Sequence, residues 1–117
     1  MEEKVIEREL SFAKLTIKFT KVGKDYHILL QGGDSSHIGC TVLALPRPSL
    51  KGDGRPGSTA SVINVTGHKD EYLCRYLAEK MAAFRNATVV CTGGFHVDGI
   101  TEEQIGEVQR AVEEIEI

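Results

Sequence analysis

Residues 87–98 read ATVVCTGGFHVD, a β-rich run that ends in two glycines, a phenylalanine and a histidine. Before this run, apolar residues three and four positions apart predict an amphipathic helix over about residues 69–85. After it, Thr101 and Gln104 have the spacing of a capping box, which predicts a second amphipathic helix at the end of the chain. A strand between two helices, in a chain whose other segments have strand character, predicts an α+β fold.

The first third of the chain predicts two strands. Residues 9–20 are rich in β-branched and aromatic residues, and their alternation changes phase near Ala13. Either a bulge there or a strand buried on both faces accounts for the change. A turn at residues 22–25 then leads to strand-like residues 26–30, which predicts a β-hairpin.

Two further strands are predicted in the middle of the chain. The apolar run at residues 38–45 predicts a buried strand that ends at Pro46 and Pro48, and strand character returns at residues 58–65 after a glycine-rich loop. Three cations of this loop form either a solvated face or a clamp for a phosphate, namely Arg47, Lys51 and Arg55. The order β-β-β-β-α-β-α predicts a mainly antiparallel sheet of about five strands with two helices on one face. The last strand is expected to pair parallel to the fourth through a crossover.

Length and composition indicate a single domain over residues 1–117. The formal net charge of −3 argues against nonspecific binding of nucleic acid. The chain lacks both a run of roughly 20 apolar residues and the apolar core of a signal peptide, so we expect no membrane association and a cytoplasmic protein. The three cysteines are widely separated and are expected to be reduced, with Cys40 and Cys91 in the core.

Three turns combine glycine with histidine, at residues 32–39, 66–70 and 93–99. Glycine allows the backbone to approach a ligand closely, and histidine supplies a donor, an acceptor or a metal ligand near neutral pH. If the turns meet in space, they form a site. Each turn also has a purely structural interpretation, as a hairpin turn, a helix cap or a connection.

The second and third turns suggest particular ligand chemistry. The second turn precedes the predicted helix, whose free amides can hold an anion, and Lys69 would supply a counter-charge. In the third turn, Phe95 offers a flat apolar face to a ring. Three histidines on loops also suit zinc or iron(II), although the spacing of metal-enzyme motifs is absent. These are His37, His68 and His96.

Three stretches of the chain carry a family resemblance. They are GGDSSHIG at residues 32–39, GHKDE at residues 67–71, and GFHVDGIT at residues 94–101 with Gln104 and Ile105 after it. Together they resemble the small LpdD-like proteins, the D subunits that accompany UbiD-type hydroxyarene decarboxylases such as gallate decarboxylase. The resemblance covers about residues 10–112 and consists of turn residues rather than a catalytic motif.

The resemblance implies a non-catalytic chaperone that carries prenylated flavin mononucleotide (prenylated FMN) to a UbiD-type decarboxylase. It also implies an α+β fold similar to that of proteasome-assembly chaperones, and a homodimer. For the flavin phosphate we expect the amides of Gly67 and His68 together with Lys69, and for the ring we expect Phe95. The other candidate residues, at the polar edge or the floor of the site, are Gly33, Asp34, His37, Gly94 and His96.

Two other functions stay open from the sequence. One is a small metal-dependent enzyme that uses the three histidines. The other is a structural subunit whose glycine turns only shape the fold and whose helix face binds a decarboxylase. A stoichiometric metal that is lost on replacing any one of the histidines would favour the enzyme.

Overall fold

The computed structural model describes residues 2–48, 52, 54, 56–65 and 70–117, without the side chain of residue 70. Within these residues the chain forms six strands and two helices. In chain order they are β1 (Glu3–Glu9), β2 (Lys14–Val22), β3 (Asp25–Gly33), β4 (Cys40–Pro48), β5 (Pro56–Asn64), α1 (Asp70–Arg85), β6 (Val89–His96) and α2 (Glu102–Glu113). Neither of these helices is long and apolar enough to cross a membrane.

The strands form a single mixed sheet in the order β1-β2-β3-β6-β4-β5. All neighbouring pairs are antiparallel except β3 and β6, which are parallel. The expected parallel pairing of the last strand with the strand before α1 is therefore wrong. β5 and β6 do run in the same direction, as a crossover through a helix requires, but β4 lies between them and pairs antiparallel with both.

The prediction of five strands is also wrong, because the segment at residues 9–20 contains a chain reversal. The amide of Leu10 donates to the carbonyl of Ala13 at 2.8 Å, and Glu9 pairs with Lys14. The change of phase near Ala13 thus marks a turn between β1 and β2 rather than a bulge. The predicted hairpin at residues 22–25 is confirmed, with Gly23 at a φ of 62° in the turn.

β4 continues through the two prolines that were expected to end it. Pro46 pairs with Ser58 and Pro48 pairs with Pro56. On its other side, β4 pairs with β6 only as far as Ala44. Beyond Ala44 one side of β4 has no neighbouring strand among the described residues, and proline is tolerated there because its missing N–H removes no hydrogen bond from that side.

Both helices cover one face of the sheet, as predicted. The side chains on this face are buried in β2, β3, β4 and β6. Those of β5 are half-buried. α1 contributes Leu77 and Met81 to the core, and α2 contributes Val108 and Val112. All three cysteines are buried, which confirms the core position expected for Cys40 and Cys91.

Candidate functional site

β3, β5 and β6 end at the same edge of the sheet, which we call the carboxyl edge. They run in one direction because β5 and β6 are both antiparallel to β4, while β3 is parallel to β6. The first and third glycine-histidine turns follow β3 and β6, so both lie at the carboxyl edge. Val65 also lies there, since its amide donates to the carbonyl of Gly39 at 2.8 Å.

Two glycines bring β3 and β6 close together at the carboxyl edge. Gly33 has a φ of 84°, and a Cβ on it would lie 2.0 Å from the carbonyl oxygen of His96. Gly93 has a φ of 136°, and a Cβ on it would lie 1.7 Å from the carbonyl oxygen of Leu30. No other residue fits either position without movement of the backbone, since real Cβ atoms need more room and avoid these φ values. The close approach of β3 and β6 therefore explains why Gly33 and Gly93 are glycines, without reference to a ligand.

Four polar side chains meet where β3 and β6 end, and we call them the His–Asp cluster: Asp34, His37, His96 and Asp98. The Nε2 atom of His96 lies 2.8 Å from Oδ1 of Asp98, and the ring centroids of His37 and His96 are 6.0 Å apart, edge to face. The backbone amide of Asp98 donates to Oδ2 of Asp34 at 3.2 Å. The structure thus brings together three of the predicted site residues, Asp34, His37 and His96.

The length of the first turn has an explanation in the topology. β3 and β4 are not neighbours, because β6 lies between them. The connection must cross the end of β6, and hydrogen bonds join both of its ends to β6. The amide of Asp34 donates to the carbonyl of His96 at 2.7 Å, and the amide of Gly39 donates to the carbonyl of Gly93 at 2.8 Å. The extra residues of the turn are needed for this crossing whether or not a ligand binds.

A cavity of about 240 Å³ lies beside the His–Asp cluster, between the end of β6, the first turn of α1 and the first two turns of α2. Its buried wall consists of Leu73, Phe95 and Val108, which are 5%, 8% and 3% exposed. The polar residues His96 and Asp98 also line it, and their side chains are 52% and 90% exposed. The most buried side chains of the lining are therefore apolar, and its polar part consists of His96 and Asp98 of the cluster together with the half-buried Gln109.

Phe95 points away from the rings of the His–Asp cluster. Its side chain faces the helices and packs edge to face against Phe12, with ring centroids 6.0 Å apart. Its neighbour His96 is directed to the opposite side, as the alternation of a strand requires. Phe95 is thus mainly a core residue, and the part of it that a ligand can reach is the part that lines the cavity.

Hydrogen bonds at its first turn and in its middle hold α2, which forms one wall of the cavity. At its first turn the capping box is confirmed: the Thr101 hydroxyl accepts from the amide of Gln104, and the Gln104 side chain accepts from the amide of Thr101. Further along, the carboxylate of Glu107 accepts from the amide and the hydroxyl of Ser11, at 2.7 and 2.6 Å. These two hydrogen bonds hold the pKa of Glu107 below its ordinary value.

The sequence profile of one protein family, described as the prenylated flavin chaperone LpdD-like domain, matches residues 11–116. The chain belongs to this family. The family expected from the sequence is thereby confirmed. In fold, the LpdD-like chain is similar to a protein in the crystal structure of a novel chaperone complex for yeast 20S proteasome assembly. The two are 19% identical, with a TM-score of 0.48 over 95% of this chain and 88% of the other. No curated protein sequence matches the chain.

Several predicted site residues of this LpdD-like chain are not tested by the structure. Gly67, His68 and Lys69 lie outside the described residues, so the predicted phosphate site and any site that includes His68 stay predictions. The residues that are described contain no group of three or more histidine, cysteine, aspartate or glutamate side chains arranged for a metal ion. Gly94 lies within β6, paired with Gln31, and not in a turn.

Arg47, one of the three cations of the possible phosphate clamp, lies far from the site. Arg47 lies seven residues along β4 from Cys40, which places it about 23 Å from the carboxyl edge at about 3.3 Å per residue. Its guanidinium instead donates to the hydroxyl of Thr59 and the carbonyl of Pro48. The other two cations, Lys51 and Arg55, lie outside the described residues.

Sequence reasoning missed the apolar part of the LpdD-like site. The cavity is lined by residues that had been assigned to no ligand, namely Leu73, Val97, Asp98, Gly99, Ile100, Ile105, Val108 and Gln109. Ile105 and Val108 carry the apolar stripe of α2, and a stripe at helical spacing predicts core packing rather than a cavity wall. Asp98 could have been predicted as a site residue, because it lies two residues after His96 at the end of a strand.

Proposed function

We propose that this LpdD-like protein binds prenylated FMN at the carboxyl edge and carries it, in the cytoplasm, to a UbiD-type decarboxylase without itself catalysing a reaction. The observation that supports this most is a cavity whose buried wall is apolar and whose lining includes His96 and Asp98 of the His–Asp cluster. A flavin combines an apolar ring system with a polar edge, and a site of this kind matches both. The family description, prenylated flavin chaperone, names the ligand.

The described residues suit the ring system and its polar edge. Histidine rings offer donors and acceptors, and carboxylates accept from the N–H groups of a flavin. In the proposal, Asp34, His37 and His96 contact the polar edge, and the exposed side of Phe95 contacts the ring inside the cavity. Gly33 and Gly94 contribute backbone close to the ligand.

The phosphate is assigned to Gly67, His68 and Lys69 on sequence grounds. They precede α1, and a helix N-terminus preceded by a lysine suits an anion. Val65, the described residue before them, lies at the carboxyl edge. In the proposal, the ligand extends along the carboxyl edge, with its ring at the cavity and its phosphate at Gly67, His68 and Lys69.

The size of the cavity favours a carrier over an enclosing enzyme site. Pockets that enclose a drug-sized ligand usually measure about 300–1,000 Å³, and this cavity measures about 240 Å³. A flavin mononucleotide would be only partly enclosed, with much of the molecule left accessible. Partial enclosure allows a second protein to contact the ligand before this one releases it.

The proposal includes a homodimer formed through the face of the sheet opposite the helices, which we call the open face. Its centre carries five apolar side chains among polar ones such as His27 and Thr92, and the apolar ones are Leu29, Leu43, Leu45, Ile63 and Val90. The charges on its β1 side are paired within the chain, Lys14 with Glu7 and Lys18 with Glu3. Six strands about 4.8 Å apart and about 30 Å long give a face of roughly 750 Å². This is close to the roughly 800 Å² per partner of a stable interface.

Anaerobic calorimetric titration with reduced prenylated FMN tests the proposed function. We expect saturable binding with one ligand per chain. His96→Ala and Asp34→Ala should weaken it at least tenfold, since each removes a polar contact of the ring edge. Lys24→Ala is the control, because Lys24 is exposed in the β2–β3 turn, at the opposite end of β3 from Gly33. Wild-type protein that binds no ligand at micromolar concentration would refute the proposal.

Delivery needs a second assay. Apo-decarboxylase is mixed with the loaded chaperone or with the same amount of free cofactor, and the decarboxylation of a hydroxybenzoate is followed. The proposal predicts faster or fuller activation by the loaded chaperone, and less with the His96→Ala variant. Equal activation by free cofactor would leave binding intact and remove the delivery role.

A further inference from the structure

We infer that the cavity is a specificity pocket for the hydrocarbon ring that prenylation adds to the flavin, with Ile105 and Val108 of α2 as the residues that distinguish prenylated from unmodified FMN. This inference rests on the proposed function. It places the hydrocarbon ring of the cofactor in the cavity, and Ile105 and Val108 are not among the residues predicted to contact the flavin.

The buried wall of the cavity is apolar. Leu73, Phe95 and Val108 are almost fully buried, and Ile100 and Ile105 are half-buried beside them. Of the polar side chains in the lining, His96 and Asp98 are exposed and Gln109 is half-buried. An apolar ring gains by entering such a cavity, whereas the pyrimidine edge, the ribityl chain and the phosphate of a flavin would lose their hydrogen bonds to water there.

The size of the cavity also suits a hydrocarbon ring. An apolar cavity of about 150 Å³ is large enough to bind benzene, so one of about 240 Å³ accepts a somewhat larger hydrocarbon group. It is smaller than the roughly 300 Å³ at which pockets begin to enclose whole drug-sized ligands. The isoprene-derived ring with its methyl groups fits between these limits, and the complete flavin does not.

The wall of the cavity is held in place before any ligand arrives. The capping box fixes the first turn of α2, and the two hydrogen bonds from Ser11 to Glu107 fix the turn in which Val108 lies. A preformed apolar pocket selects its ligand without a cost of ordering the wall. Burying several apolar carbons there favours the prenylated cofactor on the order of 100- to 1,000-fold.

Filling the cavity is the direct test. Ile105→Trp places a larger side chain at a half-buried position of the wall, and Val22→Trp is the control, since Val22 is exposed beside the β2–β3 turn. Dissociation constants are measured anaerobically for reduced prenylated FMN and reduced FMN. We expect Ile105→Trp to weaken binding of the prenylated form at least tenfold while changing that of FMN less than threefold. Val22→Trp should change neither.

A second readout does not require a variant that folds well. In methyl-labelled wild-type protein, the resonances of Ile105 and Val108 should shift on adding reduced prenylated FMN and shift less on adding reduced FMN. If the wild-type protein binds neither flavin, the proposed function fails and the inference fails with it. If it binds the prenylated form but these methyl groups do not shift, or if Ile105→Trp weakens both ligands equally, only the inference is overturned.

Discussion

Replacing Gly93 with alanine should destabilise the whole fold, because this glycine allows β3 and β6 to meet at the carboxyl edge. A Cβ at this position would lie 1.7 Å from the carbonyl oxygen of Leu30, at a φ of 136°. The unfavourable φ alone costs about 1–3 kcal/mol, and the backbone movement that relieves the clash costs about 1–3 kcal/mol more, by analogy with overpacked cores. The sum, about 2–6 kcal/mol, is a large part of a typical folding stability of about 5–15 kcal/mol.

Gly23→Ala provides the matched control in a thermal unfolding experiment. Gly23 also has a positive φ, 62°, but a Cβ there meets nothing within 4 Å. Its substitution should cost only about 1–2 kcal/mol of conformational strain. For a domain of this size, each kcal/mol lowers the melting temperature by about 3–6 °C. If Gly93→Ala melts as high as Gly23→Ala, the close approach of β3 and β6 is not what holds the carboxyl edge together.

Three further predictions concern α2 and the open face. Thr101→Ala should lower the free energy of unfolding by about 1 kcal/mol, measured by urea denaturation, because it removes the hydroxyl of the capping box; an unchanged midpoint would contradict this. Ser11→Ala should destabilise the protein at neutral pH but not in acid. Because the pKa of Glu107 is lowered in the folded state, its stabilising contribution is present above the pKa of the unfolded state and is lost as the pH falls through the pKa of the folded state. The urea midpoints of the variant and the wild type should therefore converge below about pH 4. Leu43→Glu should give a monomer by light scattering, and an unchanged mass would argue against dimerisation through the open face.

Local patterns predicted the helices and turns well. Helical spacing identified α1, the capping box identified the start of α2, and the hairpin at residues 22–25 formed as expected. The errors came from pairing between distant strands. The position of β6 between β3 and β4 depends on contacts far apart in sequence, and the turn near Ala13 was hidden because a change of phase fits a bulge as well as a reversal.

The polar half of the candidate site could be predicted, and the apolar half could not. His96 ends β6, while Asp34 and His37 follow β3, and the pairing of these two strands brings the three side chains to one edge. The sequence supplied these residues, but that their turns meet was an assumption, because the last strand was expected to pair with a different strand. Ile105 and Val108 have the spacing of ordinary core residues. That they line a cavity follows from how α2 is placed against the end of β6, and no pattern within one helix contains that information.

The central claim, that the carboxyl edge binds prenylated FMN, is tested most directly by amide resonances recorded during an anaerobic titration with the reduced cofactor. The account predicts saturable shifts that reach completion at one ligand per chain and are largest at Asp34, His96 and Asp98, with small changes on the open face. Saturable binding whose largest shifts lie on the open face or at the β4–β5 end of the sheet, with Asp34 and His96 unchanged, would contradict it.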